Sequence, residues 1–478
     1  MARGIVALGA RVSVLACSAL LVGHVLLDVP LSAQAPSTPA RQPAPSPWRF
    51  AGTQPCVGPE GGVLQCPPAP RVIAVRAGRL FDSVTGQMLT KQVVLVQGER
   101  ITEVGPEGQV KIPAGVQIVD LSQATVLPGL IDAHSHIYNN RRPNMSTERS
   151  TLIAINNAQA DLQAGFTALR DMSSHGNGYG DVDIRNAINW GDIDGPRMQV
   201  AGRGIAWGPK PPDPAAQPDR LGGIVVRSVD EARAAVREHV DHAVDWIKLY
   251  PTGGYSFTPT GEAQYVLMYP LPVLQALIDE THRLGKKAAC HSFGGDGLQF
   301  TITAGCDTVE HAYGLSQQQA DTIVQKRLFF DPTLVRYTEP YMDDNDAKNT
   351  GGKFRMIPIF DKAVQMAVGT KGLRIMVGSG ADGSTLPHGT QALEFAALVI
   401  RSGMSPARAI QSGTIVNAEA MGWQDQVGSI AKGKFADIVA VSGNPLMDIT
   451  ELQRVKFVMK GGKIIRNEMT SAVQAGTR

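Results

Sequence analysis

Eight short apolar runs, each followed by helix-like or loop sequence, constrain the fold of this 478-residue chain more than any other feature. They read VLPGLIDAHSH, FTALRDM, MQVAGRGIAW, DWIKLYP, KKAACHS, CDTVEHAYG, LFFDPTLV and LRIMVGSGAD. Runs of this length read as buried strands, and apolar residues at helical spacing predict helices between several of them, over Ser228 to His242, Leu271 to Leu284 and Phe354 to Val368. Alternating strand and helix implies parallel strands joined by crossovers. Eight such units predict an α/β fold, a TIM-like (β/α)8 barrel, with a doubly wound open sheet as the alternative.

The flanks have a different period. From Arg71 to Val126, and again in GSIAKGKFADIVAVSG and VKFVMKGGKII, short alternating strands are punctuated by Gly and Pro. They predict a small β-sandwich built from both ends of the chain, residues 71–126 and 426–467, with a barrel of residues 127–425 inserted and a tail of 468–478.

Ahead of these, Arg3 and Arg11 precede an apolar stretch from Val12 to Leu27, and Ser32-Ala33-Gln34-Ala35 offers a small-residue cleavage site. Residues 1–35 therefore read as a signal peptide, with a periplasmic or secreted product and no stable membrane span after cleavage. An uncleaved anchor is the alternative, but the run is short for a span and contains His24. A lipoprotein reading at Cys17 is weaker, since the apolar run continues past it. Residues 36–70 begin as a Pro-rich tether, and Cys56 and Cys66 flank a Gly-rich loop that a disulfide can close in an oxidising compartment. Cys290 and Cys306 fall in predicted barrel strands, where small buried hydrophobes are favoured over zinc ligands. The net charge of +2, with both signs interspersed, excludes a basic field for nucleic acid.

Chemistry concentrates at the ends of the apolar runs, where a barrel gathers its functional groups. Six potential metal ligands sit there: His134, His136, Lys248, His291, His311 and Asp382. One residue separates His134 from His136, so on an extended strand both imidazoles face the same side and can meet one cation. Asp132 is placed to orient a ligand. Lys248 ends a buried strand, where an unpaired ammonium costs several kcal/mol to desolvate. Either its stem packs while the charge reaches water, or its amine has reacted with CO2 to give a carbamate, an anionic oxygen donor able to bridge two cations. His291 and His311 end neighbouring strands. Asp382 follows a Gly-rich segment, with a turn role as its alternative. The set points to metal-assisted hydrolysis.

At these residues the chain resembles the metal-dependent amidohydrolase superfamily, most closely its Xaa-Pro dipeptidase-like, imidazolonepropionase-related branch. The resemblance runs from about Arg71 to Asn467, through PGLIDAHSH, GFTALRD, WIKLYPTGG, GADGSTLPHG and GSIAKGKFADIVAVSGNPLMDI. It implies two divalent metal ions, usually zinc, held by His134, His136, an N6-carboxylated Lys248, His291, His311 and Asp382. It also implies a small-molecule amide or peptide substrate, a dipeptide or N-acyl amino acid, with Asp382 passing a proton from a metal-activated water to the leaving amine. A cyclic-amide or lactone hydrolase on the same site is the alternative, and a homo-oligomer is compatible with the resemblance. Candidate substrate contacts are His175, His388, Tyr250 and Tyr255, with Arg170 and Arg336 as weaker carboxylate partners whose other role is structural ion pairing. Two departures bear on substrate. Phe293 stands where relatives often have a second histidine, predicting a more apolar pocket, and Ala381 replaces a threonine beside Asp382.

Overall fold

A computed structural model describes residues 72–138, 145–208, 223–337 and 353–469. The expected signal peptide, the tether with Cys56 and Cys66, and residues 470–478 lie outside the described residues. Strands β1 (Val72–Asp82), β2 (Gln87–Gln97), β3 (Arg100–Pro106) and β4 (Gln117–Pro128) open the described chain. Turns with little apolar content join β1 to β2 and β2 to β3 as antiparallel neighbours, whereas β4 pairs with β1 in parallel.

The parallel strands follow. They are β5 (Leu130–Ser135), β6 (Phe166–Asp171), β7 (Arg197–Val200), β8 (Ile205–Trp207), β9 (Ile224–Val226) and β10 (Trp246–Leu249). After a hairpin of β11 (Thr252–Phe257) and β12 (Ala263–Leu267) come β13 (Lys287–Ser292), β14 (Thr308–His311), β15 (Phe329–Asp331) and β16 (Arg374–Ile375). Each of the eight apolar runs contributes a strand, although VLPGLIDAHSH is divided between β4 and β5 and MQVAGRGIAW between β7 and β8. The sheets run β5-β6-β7 and β16-β15-β14-β13-β10-β8-β9. Backbone bonds connect their ends. The Asp245 amide donates to the Val200 carbonyl at 2.8 Å, and β5 is tied to the segment after β16 through Ala133 N to Val377 O at 2.9 Å and His136 N to Ala381 O at 2.8 Å.

Helices connect the parallel strands, the first two beyond those the periodicity predicted. Helix α1 (Thr147–Gln163) starts at Ser146, whose hydroxyl accepts from the Arg149 amide, and α2 (Gly180–Trp190) ends at the left-handed Gly191. Helix α3 (Val229–Asp241) is capped by Ser228, and its buried Ala232, Ala235 and Val236 lie at i, i+3 and i+4, facing the core. The helices Leu271–Arg283 and Lys353–Gly369 agree with expectation to within a residue at either end. Around β5 and β10 the side chains have no solvent-facing side, which is why LIDAHS and WIKL are buried throughout.

The last strands, β17 (Ile438–Val441), β18 (Phe457–Lys460) and β19 (Lys463–Asn467), return to the first four. β17 pairs antiparallel with β4, Ala440 opposite Val126, giving one sheet of order β19-β18-β17-β4-β1-β2-β3. The two ends of the chain meet as expected, but they are joined as one continuous sheet. Two separately bonded layers, as a sandwich would give, are not found there among the described residues. Val75, Val94, Val126, Ile438 and Phe457 form its apolar core, and each such side chain contributes about 1.5–3 kcal/mol on burial.

Cys290 and Cys306 require a correction. They are buried, but as a disulfide that joins β13 to the turn before β14, and not as two separate small hydrophobes. Spacing could not reveal the pairing, because their proximity depends on the parallel register of β13 and β14. Among the described residues no helix is long and apolar enough to cross a membrane.

Candidate metal centre

Because β5, β10, β13 and β14 run in parallel, their C-terminal ends open on one side. His134 is next to last in β5 and His136 lies just beyond its end, Lys248 lies in β10, His291 in β13, and His311 closes β14. The loop after β16 brings Asp382 to the same place, since Gly380 N donates to His134 O at 2.7 Å. All six line one cavity of ≈ 110 Å³. The ring centroids of His134 and His136 are 5.2 Å apart, those of His134 and His311 5.1 Å, and those of His291 and His311 4.5 Å. Lys248 Nζ is 3.5 Å from His134 Nε2.

Close approach needs Gly378. A Cβ there would lie 2.2 Å from Asp331 Oδ2 and 2.5 Å from His134 Cβ, so any larger residue would push the Asp382 loop off β5. Two of the cavity histidines, His311 at φ 71 and His175 at φ 45, occupy the left-handed region that non-glycine residues seldom enter. Such strain collects where the surrounding structure holds a functional group in place.

The imidazoles are oriented from behind. His134 Nδ1 lies 2.7 Å from Glu310 Oε2, so it donates there and turns the Nε2 lone pair toward Lys248. His311 Nδ1 meets Thr333 Oγ1 at 2.6 Å, and Thr333 in turn donates to the Pro332 carbonyl, which fixes the hydroxyl as acceptor. His136 Nδ1 makes a longer contact, 3.4 Å, to Ser173 O. Glu310 is itself gripped by the Arg170 guanidinium at 2.9 Å and by the Thr308 hydroxyl. Asp132 acts on the backbone: its carboxylate accepts from His134 N, Ser379 N and Ser379 Oγ, locking β5 to the Asp382 loop.

Charge and burial set the protonation states. Burial drives His134, His136 and His311 well below the usual imidazole range and His291 to about 3; the Lys248 charge adds to the effect at all four, after His175 and His134 at His136 and after His291 and His134 at His311. The four rings are therefore neutral, the form that binds metal. Burial also lowers the Lys248 amine to about 8 against the opposing pull of Glu310. Burial alone would raise Glu310, but Arg170 and Lys248 outweigh it and keep the carboxyl low. Neutral imidazoles beside a buried amine and an aspartate form a nitrogen and oxygen donor set that fits divalent transition ions. A second grouping, His134 with Glu310 and Asp331, has ligand atoms within 4.8 Å of one another, but Arg170 NH2 already places a cation there, 2.9 Å from Glu310 and 3.8 Å from Asp331.

Three of the expected substrate contacts, His175, Tyr250 and Arg336, line the cavity, and Tyr337 joins them. Three lie elsewhere. Arg170 is fully buried beneath the histidines, bonded to Glu310, Thr308 Oγ1 and the Ala133 carbonyl and stacked on Trp246, so its guanidinium is committed to structure. His388 is held behind β5, with Nδ1 2.9 Å from Asp161 Oδ2 and Nε2 3.2 Å from the His136 carbonyl. Burial opposes its charge, but Asp161 outweighs burial and raises the imidazole above its usual range. Tyr255 packs edge-on against Phe293 and Tyr313 and is not among the residues lining the cavity. Phe293 also departs from expectation. It stacks on Tyr313 at 4.5 Å and meets the edge of His291 at 4.3 Å, so it supports the histidines from the side and does not make the cavity wall apolar.

Sequence reasoning missed Glu310, Thr333 and Asp331. Glu310 adjoins His311 in TVEH, where an acidic residue inside an apolar run was the available signal.

The sequence profile of the Amidohydrolase family matches residues 125–465. Ochratoxinase of Aspergillus niger is 26% identical over 468 residues, covering 88% of this chain and 94% of its own length. A crystal structure of a Xaa-Pro dipeptidase with methionine bound in its active site superposes with a TM-score of 0.72 at 27% identity, over 83% of this chain and 100% of that one. The crystal structure of A. niger ochratoxinase gives a TM-score of 0.70 at 23% identity, over 84% and 96%.

Proposed function

From the premise that this chain belongs to the amidohydrolase family and is a hydrolase acting on carbon–nitrogen bonds, we propose that it is metal-dependent and cleaves the amide of a dipeptide or N-acyl amino acid. One observation carries the reading: His134, His136, Lys248, His291, His311 and Asp382, drawn from five strand ends, line a single cavity. We read β5, β6, β7, β10, β13, β14, β15 and β16 as the eight strands of a closed (β/α)8 barrel, with the composite sheet as its small β domain. The similarity to the Xaa-Pro dipeptidase structure supports this.

The six residues would hold two divalent ions, zinc by resemblance, with Lys248 as the N6-carboxylated ligand. When bound, such ions polarise the scissile carbonyl and acidify water. The remaining work falls to the chain. As the water oxygen joins the carbonyl carbon, Asp382 accepts its proton and passes it to the leaving nitrogen as the C–N bond breaks, giving a carboxylic acid and an amine. Asp382 Oδ1 is pinned by the amides of Ser384 at 2.9 Å and Thr385 at 2.8 Å, an arrangement that also makes it a turn residue and orients the carboxylate. Burial pushes Tyr250 up to about 12, so its phenol stays protonated and can donate to the oxyanion, alongside His175 stacked 4.1 Å from His136.

An exported enzyme is part of the proposal. The leader-like residues 1–35 support it, and so does the Cys290–Cys306 disulfide, a bond that persists in oxidising compartments.

The test is a panel of dipeptides, N-acyl amino acids, cyclic amides and lactones offered to zinc-, manganese- and cobalt-loaded protein. Amides next to a free carboxylate are expected to turn over fastest. Hydrolysis confined to lactones or cyclic amides would replace this reading with the alternative chemistry.

A further inference from the structure

A second cavity, of ≈ 660 Å³, opens at the start of the run that ends in Asp382, with Arg374 and Ile375 of β16 in its wall. Val84, from the turn between β1 and β2, forms part of the opposite rim. Gln411 holds that turn in place, its Nε2 donating to Ser83 O at 3.0 Å and Val84 O at 3.3 Å. The cavity is therefore a seam between the composite sheet and the parallel strands, of a size that suits a small organic molecule. Its charge is one-sided: Lys371, Arg374 and Arg408 line it against the single carboxylate of Glu419. Arg408 is half-buried. Two of its five N–H groups donate to neutral carbonyls, NH1 to Val368 at 2.6 Å and NH2 to Leu373 at 3.1 Å. Among the described residues no carboxylate pairs with it, and burial lowers it from its usual range with no neighbouring charge to offset the effect. Arg374 lies 3.7 Å over the Phe329 ring and donates to the Arg327 carbonyl, again without an ion pair among the described residues. The rest of the wall is apolar, with Val84 exposed and Ile415 and Val416 half-buried.

We propose that this cavity is a second binding site, separate from the metal centre, for a small carboxylate that carries an apolar chain. The carboxylate sits beside Arg408 and Lys371, and the chain lies along Val84, Ile415 and Val416. A half-buried guanidinium with only neutral partners is costly to desolvate, and an anion offsets that cost. Its remaining donors form a planar fork that matches a carboxylate. The apolar wall favours an organic anion over an inorganic one, because covering it gains about 25 cal/mol per Å². None of these residues lines the metal centre, so the inference stands apart from the amide-hydrolase reading.

The experiment is calorimetric titration of the metal-loaded protein with sodium octanoate, with octanamide as the uncharged control and acetate as the control without a chain. Octanoate should bind with a Kd on the order of 0.1–1 mM, and each control at least about tenfold more weakly. Three variants locate the site. Arg408→Gln should weaken octanoate by about tenfold and Lys371→Glu by at least about fivefold, whereas Glu419→Gln, which removes the opposing charge, should tighten it by about twofold. Arg408 also caps two backbone carbonyls, so its variant is checked for folding by circular dichroism. Lys371 and Glu419 are exposed, and their variants decide the question even if Arg408→Gln does not fold. Octanoate held at the metal centre would bind Lys371→Glu and Glu419→Gln as it binds wild type, and that result overturns the proposal. Octanamide or acetate binding as tightly as octanoate overturns the assignment of an apolar carboxylate. No saturable binding of octanoate at concentrations well above the expected Kd overturns the site altogether.

Discussion

Asp382→Asn lowers turnover by roughly 10²-fold or more while metal content stays near that of wild type. The substitution keeps the size of the side chain and an oxygen able to accept from the Ser384 and Thr385 amides, so the turn that positions it survives. What it removes is the proposed proton acceptor. Substrate affinity should change much less than rate, because the residue acts on the proton in transit. The neighbouring Arg336 guanidinium, 3.5 Å away, loses its anionic partner in the variant. A matched fall in rate, metal occupancy and affinity would instead make Asp382 a structural ligand.

The second large effect belongs to Lys248. Its amine is buried 3.5 Å from His134 Nε2 at the centre of the imidazoles, and burial brings it to about 8, so a far larger fraction than for an exposed lysine is free base near neutrality, though still the minority. A free amine bonds to the carbon of CO2 through its lone pair and releases one proton, leaving an anionic carbamate whose oxygens can bridge two cations. On the proposed carbamate reading, Lys248→Ala removes that bridge. Activity should fall by roughly 10³-fold or more, with loss of binuclear metal binding by elemental analysis, since removing a buried group that holds several others costs far more than its own contacts. Short-chain carboxylates or high bicarbonate should restore part of the activity by entering the space left behind. A Lys248→Ala protein with wild-type turnover and two bound metals would contradict the bridging role.

The sequence made parts of this site readable because the signals were local. His134 and His136 follow an apolar run with strand spacing between them, and His291, His311 and Asp382 end runs of the same kind, so strand-end placement alone predicts that they converge. The supporting groups depend on long-range proximity. Glu310 reaches His134 across 176 residues, and Arg170 reaches Glu310 across 140, through strand order and register that no local pattern encodes. The same reason explains His388, whose neighbours on α1 and just past β5 draw it behind the cavity, and Phe293, which the stacking with Tyr313 turns sideways. The start of the helix at Ser228 was readable because a serine there caps the first turn with its own side chain. The β11–β12 hairpin was not, since its strands are short, half-exposed and embedded among glycines and prolines that read equally well as loop.

Metal removal and replacement tests the central claim most directly. Protein stripped with a chelator at neutral pH should lose amide hydrolysis, and titration with zinc should restore it as metal rises to two ions per chain by elemental analysis, with little further gain beyond that ratio. Full amide turnover in protein shown to contain no divalent metal would contradict the account.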